Sequence, residues 1–181
     1  MLAAGAALGA GHNGNGLLLT GSNQRAVGAD APSLDMTGAI TISAWISPAT
    51  KATQTIVKKA RSDSIDGYEL SLSASGTVFV RFNQDSSGDN YRLDSTSSYP
   101  TNGSTWLHVA ATYDGNTIRL YVNGQLQASK AATFSIHGNS TALGIGAQDD
   151  GKYSLRGRID DVLVADRALS AAEISDLYQG A

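Results

Sequence analysis

His108, Glu69 in "YELSLS" and the adjacent acids Asp160 and Asp161 in "RIDDV" are the first side chains here that could do chemistry. Nucleophilic catalysis needs a Ser or Cys activated by a His that an acid orients. The chain offers His12, His108 and His137, has no Cys and lacks a G-x-S-x-G turn. His108 is therefore expected to be a sheet-face residue with a hydrogen-bond partner. Hydrolysis by a carboxylate pair needs two carboxyl groups held on one face, about 5 Å apart where one of them is the nucleophile. Glu69 has no acidic neighbour at alternate spacing, and a strand would point Asp160 and Asp161 to opposite faces. These residue types suit binding without turnover. Recognition of a polar, hydroxyl-bearing ligand asks for aromatic faces and planar polar groups. Arg81, Tyr91 and Arg92 form the favoured set, and His108, Arg119 and Tyr121 are further contributors on the polar sides of their strands. Trp45 is expected in the core, because its strand is otherwise apolar.

The elements that must hold these residues are short alternating strands. Ile40, Ile42, Ala44 and Ile46 alternate with Thr41, Ser43 and Trp45, and "YELSLS", "VFVRF" and "WLHVAATY" show the same period of two. "YDGN" and "VNGQ" are hairpin turns, since Gly and Asn tolerate the positive φ such turns demand. Trp106–Ser129 is thus a three-stranded antiparallel meander. Many strands at regular spacing predict an all-β antiparallel sandwich or jelly roll of two sheets. One short C-terminal helix is predicted from Ser170 and Glu173 as a capping box, with Ile174, Leu177 and Tyr178 as its apolar stripe and Gly180 as its stop.

At 181 residues the chain suits one domain with a sizeable core. Its net charge of −3 and the lack of a Lys/Arg cluster argue against nucleic acid as a partner. No apolar run approaches the roughly 20 residues of a bilayer span, so no membrane insertion is expected. The opening "MLAAGAALGAGHNGNG" lacks a basic start and any alternation. Residues 1–16 are therefore taken as a flexible segment or linker, with the domain at 17–181.

"AITISAWISP", "WLHVAATYDGNTIRLYVNGQ" and "GRIDDVLVADRALSAAEISDLYQG" together resemble the laminin G-like jelly-roll family of the concanavalin A-like lectin/glucanase superfamily. The resemblance implies two antiparallel sheets with one concave face. It also implies a non-catalytic binding module, extracellular or on the surface of a bacterium or phage, within a larger multidomain protein. The implied ligand is a polysaccharide or surface glycan. The alternatives are a structural or adhesive domain without small-ligand binding, and a glycan-cleaving enzyme. Calcium is the implied cofactor, with two candidate places. In one, Asp160 and Asp161 cooperate with the turn after the first strand, near Gly21 and Asn23, although Thr20 stands where the family carries Asp. In the other, by likeness to pentraxins, Asp63 and Asp66 face Gln148, Asp149 and Asp150, oxygen donors of the type calcium prefers.

Overall fold

The computed structural model describes residues 1–180. In chain order the first strands are β1 (Leu2–Ala3), β2 (Ala7–Ala10), β3 (Asn15–Leu19), β4 (Arg25–Gly28) and β5 (Ile40–Pro48). There follow β6 (Gln54–Arg61), β7 (Ile65–Leu72), β8 (Thr77–Phe82), the single turn of helix α1 (Gln84–Ser87) and β9 (Arg92–Ser98). The last are β10 (Leu107–Tyr113), β11 (Thr117–Val122), β12 (Gln125–Ala131), β13 (Leu143–Ile145), β14 (Gly157–Ala165) and helix α2 (Ala171–Gln179). They form two antiparallel sheets of seven strands each, β1-β4-β13-β6-β7-β8-β9 and β12-β11-β10-β5-β14-β3-β2. This is the all-β sandwich that the alternation predicts.

Period two decides which side chains enter the layer between the sheets. From one sheet come Leu70, Leu72, Val78, Val80 and Phe82; from the other come Ile40, Ile42, Ile46, Val109, Ala111 and Tyr113. All are almost completely buried. The intervening residues Glu69, Ser71, Phe79 and Arg81 necessarily project from the opposite side of their sheet. Both predicted hairpins form: Asn123 and Gly124 sit at φ +50 and +73, and β10, β11 and β12 pair in sequence. Register is therefore fixed by turn chemistry as well as by the apolar face.

Helix α2 lies against the outer face of the second sheet. Ser170 Oγ accepts from the Glu173 amide at 3.3 Å, and Glu173 Oε2 accepts from the Ser170 amide at 2.8 Å, which completes the capping box. Ile174 and Leu177 pack on Leu163, Ala110 and Tyr121, so that part of the sheet has apolar groups on both sides.

Residues 1–16 are not a linker. β1 pairs with β4 at the edge of one sheet, and β2 pairs with β3 at the edge of the other. The crossing between them is made at Ala4 and Gly5, both in the left-handed region at φ +56 and +76. Ala and Gly are poor strand formers, so these strands owe their existence to the pairing offered by β3 and β4.

Candidate functional site

β6, β7, β8 and β9 place Lys58, Glu69, Arg81 and Arg92 side by side on the outer face of the first sheet: Lys58 pairs with Glu69, Glu69 with Arg81, and Arg81 with Arg92 in register. These residues, with Ser71, Phe79 and Tyr153, line a cleft of about 370 Å³. Glu69 is its centre. One carboxylate oxygen accepts from Lys58 Nζ at 2.9 Å and the other from Arg81 Nε at 2.7 Å. Burial alone would raise the Glu69 pKa, but the charges and hydrogen bonds of Lys58 and Arg81 outweigh it and hold the carboxyl below its usual range. A buried carboxylate without such partners would be very costly. Here the network is satisfied, with Lys58 Nζ also donating to Ser62 Oγ at 2.8 Å.

Arg92 forms the neighbouring unit. Its Nε and one terminal nitrogen both donate to Asp94 at 2.8 Å, and its guanidinium lies 3.9 Å from the Phe79 ring centroid. Phe79 is thereby covered, so its face is closed to a sugar. The Arg92 hydrogen bond, followed by that of Thr77, holds the Asp94 pKa low against the opposing effect of burial. Glu69, which lines the cleft, and Asp94, which holds Arg92 in place, are both kept ionised at neutral pH. Tyr153 is the aromatic group that remains open at the rim, 41% exposed and in the left-handed region at φ +54.

The predicted ligand set divides. Arg81 and Arg92 meet in the cleft, whereas Tyr91 turns inward and stacks on Phe134 with centroids 3.9 Å apart. His108 and Tyr121 lie on the outer face of the other sheet, almost fully buried, with Tyr121 beneath α2. His108 lacks the expected ring partner: its Nδ1 is buried with none among the described residues. Arg119 is ion-paired with Asp114 at 2.6 Å. Trp45 also departs from expectation. It lies outside the core layer, between His12 at 3.6 Å and Tyr178 at 5.7 Å. Lys58 and Tyr153 escaped the sequence reading, although Lys58 shares the outward placement that marks Arg81.

The first calcium set does not assemble. Asp160 stands beside Gly16, where its Oδ2 accepts the amides of His12 and Asn13 at 2.8 and 3.0 Å. Gly21 and Asn23 lie beyond the other end of β3, roughly 15 Å away at about 3.3 Å per strand residue. Asn23 instead donates its amide to Ser154 Oγ. The second set is closer together but engaged. Arg61 makes a two-pronged pair with Asp149 at 2.7–3.2 Å, and Gln148 Oε1 accepts the Ser62 amide. Asp66 accepts from Ser86 and pairs with His137 at 2.8 Å, Asp63 accepts from Gln84, and Asp150 pairs with Lys152. No group of three or more His, Asp or Glu arranged to hold a metal occurs among the described residues. The donors present do not fit a calcium ion without rearrangement.

A family model described as the concanavalin A-like lectin/glucanases superfamily matches residues 20–175. The chain belongs to that family, as its laminin G-like motifs suggested. A search of curated protein sequences found no match. Among solved structures, the binding domain of Paraclostridial Mosquitocidal Protein 1 superposes with a TM-score of 0.75 at 19% identity, over 97% of this chain and 46% of that one. Domain 4 of the extracellular arabinanase AbnA from Geobacillus stearothermophilus, solved with arabinotriose, gives 0.72 at 19% identity, over 97% and 82%. The CBM40 domain of the Ruminococcus gnavus IT-sialidase, bound to α2,3 sialyllactose, gives 0.65 at 19% identity, over 87% and 100%. These likenesses carry the fold; the chain spans less than half of the mosquitocidal domain.

Proposed function

We propose that this domain is a non-catalytic module that binds a glycan in the cleft over β6–β9. The carrying observation is the preformed Lys58–Glu69–Arg81 network beside Arg92. Its donors are fixed before a ligand arrives, so little ordering cost remains at binding. Lys58 has one ammonium proton beyond those given to Ser62 and Glu69, and Arg92 keeps donors beyond those on Asp94. Tyr153 supplies the aromatic surface at the rim. Structural neighbours solved with arabinotriose and with sialyllactose support carbohydrate as the ligand class. The low pKa values of Glu69 and Asp94 favour binding over hydrolysis, because glycoside cleavage needs a carboxylic acid that keeps its proton. Action outside the cell, within a larger protein, follows from the same reading.

A glycan array probed with the wild type and with Arg92→Ala tests it. The wild type should retain a defined subset of glycans, and Arg92→Ala should bind them about tenfold or more weakly, as expected for a charge-assisted hydrogen bond. An array with no retained glycan, or one that Arg92→Ala leaves unchanged, refutes the proposal.

A further inference from the structure

A second cavity, of about 420 Å³, opens on the opposite sheet, between the β2–β3 hairpin and the end of α2. Its walls are apolar and aromatic: Trp45 with His12 stacked on it, and Leu163 with Leu177. Its polar groups are Asn13, Ser43, His108 and Asp161. No Lys or Arg lines it, in contrast to the cleft, where Lys58, Arg81 and Arg92 converge.

Two details mark this cavity as more than a packing gap. His108 is 2% exposed and its Nδ1 has no partner among the described residues, a costly state for a buried ring nitrogen. Burial, with the nearby charge of His12, pushes its pKa down to about 4, so the ring is neutral near pH 7. Asp161 adopts φ +47 where the β14–β5 register shifts, a left-handed conformation that Asp accepts more readily than most residues. That bulge brings a carboxylate to the mouth of the cavity.

We propose that this cavity is a second ligand site, which takes a neutral hexopyranose unit on the face opposite the cleft. Leu163, Leu177 and the exposed His12 would meet the sugar's C–H surface, since Trp45 is already covered by His12 and Tyr178, while Asp161, Asn13, Ser43 and His108 would take its hydroxyls. The absence of a lining cation argues against an acidic sugar here. The inference stands independently of the cleft.

The two Trp residues of the chain make a selective probe. Trp45 and Trp106 both touch His12, with centroids at 3.6 and 5.8 Å, and neither lines the cleft. The intact chain would be titrated with the methyl glycosides of glucose, galactose and mannose while Trp emission is followed. At least one should give a saturable change that weakens fivefold or more in Asp161→Gly and in His108→Phe, and that persists in Arg92→Ala. Gly accepts the left-handed backbone at position 161, so that variant keeps its fold. No response to any of the three glycosides, a response unchanged in either cavity variant, or one lost in Arg92→Ala overturns the proposal. Failure of the cleft reading appears instead on the array.

Discussion

Two buried titratable side chains show how differently one fold can treat ionisation. Glu69 stays charged because Lys58 and Arg81 occupy both of its oxygens. His108 is deprived of its charge because burial penalises the imidazolium, and the neighbouring His12 adds to the effect. An unfolded imidazole titrates near 6.5, and burial moves the folded one down to about 4. The unfolded chain therefore binds this proton first as the pH drops. The stability linked to His108 is complete above pH 6.5 and is lost progressively toward pH 4, by about 3 kcal/mol in all. Urea unfolding of the wild type and His108→Phe should show this slope in the former and its disappearance in the latter. Strand parity pointed to Arg81, on the polar side of "VFVRF", since alternate residues share a face. Tyr91 and Arg92 were read within a loop, where no parity applies, so nothing in the sequence separated the inward Tyr91 from the outward Arg92. Glu69's partners were harder to find: Lys58 is remote in sequence, and parity alone does not say which strands lie side by side.

Among the elements, the hairpins at Gly115 and Gly124 and the capped helix were legible because each announces itself within a few residues. β1 and β2 were not legible. Their Ala and Gly residues show no alternation, and only the neighbouring strands make them extended. β2 leads into the turn whose amides at His12 and Asn13 bond to Asp160, and a β-carbon at Gly11 would collide with that carboxylate. Deletion of residues 1–14 should therefore lower the melting temperature by about 5 °C or more, on the scale of two or three lost kcal/mol. It should also shift Trp emission to the red as His12 leaves Trp45. Calorimetry and fluorescence check both, and a linker would produce neither effect.

For the molecule as a whole, the division of its acids between partners decides how metal acts on it. Arg61 and Asp149 are 88 residues apart in sequence, so the acidic loops look the same whether their countercharge is an ion or an arginine. Since Arg61 already holds Asp149, millimolar calcium should move the melting temperature by less than about 2 °C. Scanning fluorimetry with calcium and with a chelator tests this, and a larger rise would mean that the loops rearrange to admit the ion. Position along the chain matters too. The amino-terminal residues close one edge of each layer, and β1 is held to β4 only by Leu2, Ala3 and the backbone bonds between Met1 and Val27. A pull on the amino end would therefore peel β1 away before it loads the central strands. Continued tension would draw β2 from β3 and lift His12 off the indole. A domain anchored by that end under flow would carry mechanical load into the cavity beside Trp45, while the cleft over β6–β9 stayed intact.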